Sequence, residues 1–351
     1  CIESPKFIEC DRHPNIEILT YTEIESIKGE AGDFIVTLNK KPRYIIEDKC
    51  RGCGICNQHC PVLVPDEYNV NLSYSKAAHI YFEQAVPLIT YIDPDHCLFL
   101  LEKNFNICAE VCEEKAIDLY QDQEPEKIEI EVGAIILAIG YNVFDPRLRG
   151  DYGYGKNKNV ITSLEFERLI NAGGPTKGKL IRPTDRRRPK SVGFIQCVGS
   201  RSARKGSSYC SNTCCMNTIK STLVLKEHYP DIDIKVFYID IRAFGKGFED
   251  LFMRSRRLGV HYLRGLPGNV EELPDHRMRV AVENTVTGRL EFFDLDMLVL
   301  ALGMKPSKST RGLQEMLGLQ LTPDGFYLEA HPKLQPVDAA ARGIFLSLIH
   351  I

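Results

Sequence analysis

The 351-residue sequence predicts an α/β chain interrupted by a small cysteine-rich α+β module. Three observations carry that expectation. Two continuous apolar runs, Ala134-Ile-Ile-Leu-Ala-Ile-Gly140 and Asp296-Met-Leu-Val-Leu-Ala-Leu-Gly303, read as strands buried on both faces and closed by glycine. Between them, strand and helix patterns alternate as in a βαβ unit. Ahead of both stands Cys50-Arg-Gly-Cys53-Gly-Ile-Cys56-Asn-Gln-His-Cys60-Pro61, whose spacing no packed core requires.

The chain is long enough for two or three domains with a real core. It is 44% hydrophobic with net charge -3, the balance of an ordinary soluble protein rather than a nucleic-acid binder. No apolar stretch reaches about eighteen residues, so no transmembrane helix is expected, and no signal peptide is visible. Eleven of the 13 cysteines fall in groups with ligand spacing, which favours metal over disulfides and a reducing, cytoplasmic compartment. The first residue is Cys1 rather than Met, which reads as a start inside a longer polypeptide.

Residues 1–46 read as the end of a domain. Ile16-Glu-Ile-Leu-Thr-Tyr-Thr22 and Asp33-Phe-Ile-Val-Thr-Leu-Asn39 alternate like strands, with Gly29 and Gly32 turning between them. Cys1 and Cys10 lie outside any ligand spacing and read as ordinary thiols.

Residues 47–124 form the cysteine-rich module. The run from Cys50 to Pro61 has the bacterial ferredoxin spacing for a [4Fe-4S] cluster. Short spacings let one loop wrap a corner of the cube, and Gly52 and Gly54 let its amides face the sulfurs. Four cysteines in 11 residues, ending in Cys-Pro, exceed what a zinc knuckle needs. In two-cluster ferredoxins the fourth cysteine serves the other cluster, so Cys60 predicts a second site. Residues 74–91 suggest a helix ending before Pro87. Then Tyr91-Ile-Asp-Pro-Asp-His-Cys97 repeats Ile45-Ile-Glu-Asp-Lys-Cys50. The repeat is imperfect. Cys108 and Cys112 follow, but Phe105 stands where a ligand is expected and Glu113 where a proline is usual. With crossed ligands, the first cluster takes Cys50, Cys53, Cys56 and Cys112. The second takes Cys60, Cys97 and Cys108, one short. Such a site can hold [3Fe-4S], or [4Fe-4S] with water or a side chain on the open iron, or stand empty.

Residues 125–351 return to α/β texture. Lys127-Ile-Glu-Ile-Glu-Val-Gly133 alternates like a strand. The two apolar runs ending at Gly140 and Gly303, where backbone can approach a cofactor, are familiar from two-dinucleotide-binding flavoproteins. Residues 146–190 read as loop-rich, with the basic run Arg182 to Lys190 as a solvated loop facing water or an acidic partner. No full G-x-G-x-x-G occurs. Ser191-Val-Gly-Phe-Ile-Gln-Cys197 is a strand ending in cysteine. Cys210, Cys214 and Cys215 follow, the last two in the first turn of a helix running to His228. There the helix dipole favours thiolates. These four cysteines read as one more cluster site, with a redox-active dithiol at Cys214 and Cys215 as the competing reading. Residues 232–240 form the next strand. The loop Ile241-Arg-Ala-Phe-Gly-Lys-Gly-Phe-Glu249 follows at its carboxyl end, placing Arg242 and Lys246 near a flavin ring or a phosphate.

Taken in order, these runs resemble the A-type subunits of the CoB–CoM heterodisulfide reductase family. The later runs that carry it are Gln196-Cys-Val-Gly-Ser-Arg201, Tyr209-Cys-Ser-Asn-Thr-Cys-Cys-Met216, Asp240-Ile-Arg-Ala-Phe-Gly-Lys-Gly247 and Glu329-Ala-His-Pro-Lys-Leu334, the most specific being Cys210 to Met216 joined to Arg242-Ala-Phe-Gly-Lys-Gly247. The resemblance implies a thioredoxin-reductase-like FAD domain, incomplete here, with an inserted two-cluster ferredoxin-like domain. It implies FAD and several [4Fe-4S] clusters, including an unusual one on Cys197, Cys210, Cys214 and Cys215. It also implies a methanogenesis-type oxidoreductase working with subunits B and C, a hydrogenase or formate dehydrogenase, and ferredoxin, as a dimer of complexes. A flavin in such a complex can split an electron pair. No side chain of this polypeptide need act as acid, base or nucleophile. A flavin-free iron–sulfur adaptor and a dithiol oxidoreductase are the alternatives. Three departures stand out: the family's amino-terminal glycine fingerprint is missing, Phe105 replaces a ligand, and Ser347 to Ile351, with His350, reads as a foreign tail.

Overall fold

The computed structural model describes residues 3–121 and 124–347; Cys1 and His350 lie outside them. The body is a five-stranded parallel sheet. Its strands stand in the order Val160–Thr162, Met297–Leu302, Ser191–Val198, Asp233–Tyr238, Val260–Arg264. Helix Cys214–His228 links the third and fourth of these, and helix Phe248–Arg257 the fourth and fifth. The second strand in that order, Met297–Leu302, is buried at every position, as its unbroken apolar run requires.

Alternation sends its side chains to two cores. Leu298, Leu300 and Leu302, with Ile195 and Phe237, face an antiparallel meander made of Pro267–Glu272, Met278–Asn284 and Arg289–Leu295. Met297 and Val299, with Val192, Phe194 and Val236, pack against Phe166 and Leu225 of the helical layer. Gly193 is required between these layers, because a Cβ there would stand 2.6 Å from Leu295 Cδ1 and 2.7 Å from Leu298 Cδ2.

A second sheet carries the cysteine-rich segment. Thr22–Glu30, Asp33–Lys40 and Glu126–Val132 pair antiparallel, and Lys40 sits opposite Glu126. The chain therefore leaves this sheet and returns beside its point of departure. The first strand begins at Thr22, not Ile16, because Ile24 and Ile27 are the residues that pair across to Leu38 and Val36. A helix, Ser4–Arg12, precedes it.

Three further expectations are corrected. Residues 74–91 form no helix; they carry the short strands Tyr74–Lys76 and Ala78–His79 and turns. Their aromatic side chains pair instead of lining a helix face: Tyr81 meets Phe82 edge-on at 6.3 Å, and Phe82 stacks on Tyr68 at 4.6 Å. The strand Ile135–Leu137 is not buried on both faces. It pairs in parallel with Ile344–Leu346, and Ile136 is 72% exposed. Residues 146–190 contain a real helix, Ser163–Ile170, opened by a capping box: the Glu165 amide donates to Thr162 Oγ1 at 3.2 Å and the Thr162 amide to the Glu165 carboxylate at 2.6 Å. In the basic run, Arg182 turns inward between Asp185 and Asp296, and its guanidinium holds the Asp185 carboxyl down at about 2. Arg186 and Arg187 stay exposed. No described helix is long and apolar enough to cross a membrane.

A further core gathers Phe34, Leu137, Leu313, Leu319, Ile344 and Tyr327. Tyr327 is 1% exposed and donates to the Thr310 carbonyl at 3.1 Å. Burial pushes its phenol up to about 12, against about 10 in an unfolded chain. A raised folded value means that stability is fully present below pH about 10 and lost as pH climbs towards 12. Tyr327→Phe should be about 1 kcal/mol less stable than the parent at pH about 8. The gap should close as pH rises above 10; a gap constant with pH, measured by urea denaturation, would sink this assignment.

Candidate metal centres

The cysteines gather in three places. In the first, the backbone turns at Gly52 (φ 62°) and Gly54 (φ 77°), and Gly54 caps the short helix Ile55–His59. Gly52 has no room for a side chain, since its Cβ would stand 2.5 Å from the Leu88 carbonyl oxygen. Cys56 is buried, with Thr90 Oγ1 at 3.4 Å from its sulfur, while Cys53 is exposed. Cys112 arrives from a later turn. Three contacts draw that turn to the Cys50 loop. The Ile46 amide donates to the Ala116 carbonyl at 2.7 Å, Ile45 bridges to Ile117, and Arg51 pairs with Glu114 at 3.0 Å. Cys112 Sγ accepts the Ala116 amide at 3.3 Å, a bond suited to a thiolate.

In the second place, Cys60, Cys97 and Cys108 line one hollow with Pro61, Val62, Ala77, Ala78, Ile92, Leu98, Phe105 and Ile107. All three thiols are buried. Burial, with Cys97 and Cys60 as close neighbours, pushes the Cys108 thiol up to about 11.

The third place is set by sheet topology. From Ser191–Val198 the chain winds one way to Asp233–Tyr238 and Val260–Arg264, then returns on the other side with Met297–Leu302. The crevice beyond the carboxyl ends of Ser191–Val198 and Met297–Leu302 is thus a topological switch point, where open α/β sheets bind ligands. All four late cysteines line it. The strand register breaks between Ile195 and Val198, and Cys197 takes φ 59°, re-aiming its thiol. Cys214 and Cys215 open the helix Cys214–His228, and Cys214 Sγ donates to the Leu302 carbonyl at 3.5 Å. Cys210 Sγ accepts the Asn212 amide at 3.4 Å. The small space they share also meets Ser200, Arg201, Ser211, Asp240 and Arg242.

Arg201 is the site residue that sequence reasoning left unassigned. Its guanidinium grips Asp240 through two bonds, 2.6 and 3.0 Å, and also meets Cys197. The signal was present, since Arg201 and Asp240 stand at the ends of two family-specific runs, but they are separated by 39 positions. Burial and mutual repulsion push Cys197 up to about 11 and Cys214 up to about 12. Burial outweighs the opposing influence of Arg201 on Cys197 and of the backbone amide on Cys214. Four thiolates can share the space only around a cationic core, which a cluster supplies. Among the described residues, no three His, Cys, Asp or Glu side chains close on a single-ion position; the thiols stand around hollows instead.

The cofactor candidates divide. A Cβ at Gly140 (φ 68°) would meet open space, so backbone is accessible there. The space at Gly303 is taken by Ser200 Oγ at 2.4 Å, so close packing explains that glycine. Arg242 reaches Asp240 at 3.5 Å beside the four-cysteine space, and Lys246 is exposed on the loop. A cavity of about 710 Å³, which the sequence did not announce, lies beside the first cysteine loop and is lined by Tyr21, Arg43, Tyr68, His79, Phe82 and Tyr91.

Residues 43–66 match the 4Fe-4S binding domain family. Across 99% of its length the chain is 46% identical to the A-type subunit of the H2:CoB–CoM heterodisulfide,ferredoxin reductase of Methanothermobacter thermautotrophicus, covering 52% of that protein. It is 47% identical, with the same coverage, to the second of the iron-sulfur A-type subunits of CoB–CoM heterodisulfide reductase in Methanopyrus kandleri. The chain is a relative of the heterodisulfide reductase A-type subunits. It spans about half the length of the curated relatives it matches. Among solved structures, Thermoplasma acidophilum thioredoxin reductase aligns over 64% of this chain and 60% of its own at 10% identity, with a TM-score of 0.37.

Cys210→Ser and Cys214→Ser should each lower the iron bound after anaerobic reconstitution by about four per chain, while Cys10→Ser leaves it unchanged. Gly199 sits at φ 79°, and a Cβ there would stand 2.0 Å from the Phe144 ring. Gly199→Ala should therefore cost about 1–3 kcal/mol, read as a lower urea midpoint; an unmoved midpoint would contradict this packing.

Proposed function

We propose that this chain is an electron-transfer segment of a heterodisulfide-reductase-type oxidoreductase complex. The observation that carries the reading is the gathering of four thiols at the switch point of the parallel sheet, in a chain that also holds a ferredoxin-type loop. In this reading residues 47–124 are an inserted ferredoxin-like domain. Residues 1–46 end the first segment of a flavin domain, and residues 125–351 form the second. Cys50, Cys53, Cys56 and Cys112 hold one [4Fe-4S] cluster. Cys197, Cys210, Cys214 and Cys215 hold another, with Arg201 offsetting its negative charge. Cys60, Cys97 and Cys108 hold a third cluster, one thiolate short of four.

The open backbone at Gly140 supports FAD binding beside this segment. Bound FAD would exchange electrons in pairs, whereas clusters pass them singly. The role of this chain's residues is to seat the clusters, shield them and set their potentials through amides such as those of Ala116 and Asn212. No side chain is assigned acid, base or nucleophile work. Relatives bear names that link them to ferredoxin and to H2 or formate. We extend those links to this chain. Its complex would include subunits of the B and C type and a hydrogenase or formate dehydrogenase, in a cytoplasmic dimer of complexes. An electron pair would divide there between ferredoxin and a disulfide.

The test is anaerobic reconstitution followed by reductive titration. About eleven irons per chain are expected. The visible absorption should bleach with dithionite and return on adding oxidised ferredoxin, with Cys53→Ser slowing that return at least tenfold. A colourless protein, or ferredoxin exchange indifferent to Cys53→Ser, would overturn the reading.

A further inference from the structure

The three-thiol hollow differs from the other two sites. Cys60, Cys97 and Cys108 are buried and face one shared space. The fourth position belongs to Phe105, three residues before Cys108, as Cys53 stands three before Cys56. Phe105 lines the hollow from a left-handed backbone position, φ 65°, and is itself 61% exposed. Aside from the three cysteines, every residue lining the hollow is an alanine, valine, leucine, isoleucine, proline or phenylalanine. None offers a carboxylate, imidazole, hydroxyl or amide side chain to a fourth iron. Apolar walls also give a bound water no partner, and a water needs two or more.

We infer that Cys60, Cys97 and Cys108 hold a [3Fe-4S] cluster whose vacant corner is closed by Phe105. This rests on the reading of the chain as an iron–sulfur protein and deepens it for one site. The charges balance without an added oxidant: release of Fe2+ from [4Fe-4S]2+ leaves [3Fe-4S]0, and all three remaining irons keep one thiolate each. Because potential depends on cluster type, this site holds its electron more tightly than its four-thiolate neighbour. It is an electron store beside a low-potential relay, not a second relay.

EPR of the anaerobically reconstituted chain tests the inference. Fully oxidised [4Fe-4S]2+ is silent, whereas oxidised [3Fe-4S]+ is paramagnetic. After one-electron oxidation with thionine, about one spin per chain is expected. That signal should vanish in Cys97→Ser and persist in Cys53→Ser. In Phe105→Cys it should give way to an additional signal in the dithionite-reduced protein, with about one more iron per chain. In a redox titration it should reduce before the signal of the first site develops. A silent oxidised protein overturns the inference. If Cys97→Ser then leaves iron unchanged, the hollow binds no cluster; if it loses about four irons, the hollow binds [4Fe-4S] with an external ligand. The broader reading fails separately, when Cys53→Ser removes no reduced-state signal because the first site is empty.

Discussion

Thiolates buried together repel, and the cysteine-rich parts of this chain are arranged around that repulsion. At the switch point the proton affinities of Cys197, Cys214 and Cys215 are raised, chiefly by burial and further by the neighbouring thiols. One guanidinium, Arg201, is fixed there by two bonds to Asp240. Arg242 lines the same space and Asp240 offsets one of the two guanidinium charges, so four thiolates still need a multiply charged core. Metal binding and folding are then coupled: a cluster that fills this space stabilises the strand ends and helix start that form it. The sheet's role is to deliver those pieces from separate parts of the sequence to one point.

The same crevice in other open α/β sheets takes a phosphate, held by amides of a glycine-bearing turn and a helix N-terminus. Here the turn after the strand reads Cys197-Val-Gly-Ser200, and the helix opens on two cysteines. The backbone device is retained: Gly199 keeps a positive φ, and the ring of Phe144 fills the space where its side chain would be. Thiols take the place of the ligand-facing amides. In the proposed reading, a site built this way favours a compact metal–sulfur core over a long dinucleotide, and so single-electron exchange at the sheet edge.

What could be read from sequence followed how local the determining physics was. Met297–Leu302 was legible because a strand buried on both faces leaves an unbroken apolar run. The same signature misled at Ile135–Leu137, since an apolar run cannot say what covers its outer face, and Ile136 is exposed. The spacing around Cys50 fixes a loop by itself, and crossing of Cys60 to a second group followed from it. The helix Ser163–Ile170 had a readable start in Thr162 and Glu165, overlooked among the glycines on either side. The meander strand Met278–Asn284 alternates in burial almost perfectly and was readable too. Arg201 with Asp240, and the aromatic cavity, depend on tertiary packing and left no periodic trace.

In the proposed reading, the position of the cysteine-rich segment limits how it could carry electrons. It departs at Lys40 and returns at the facing Glu126, so its ends are already together and its insertion adds little closure entropy. Two adjacent strands alone would act as a hinge, and a hinged carrier has no fixed distance to the four-cysteine crevice. A second anchor removes that freedom. Arg168, on the capping-box helix, donates to Asn69 Oδ1 at 2.9 and 2.8 Å and stacks over Tyr68 at 4.4 Å. Asn69 is itself held by Asp66. The stacked, hydrogen-bonded guanidinium is a rigid strut that a lysine would not reproduce. The capping box that starts that helix therefore matters beyond its own stability, because it sets the height at which Arg168 meets the inserted segment.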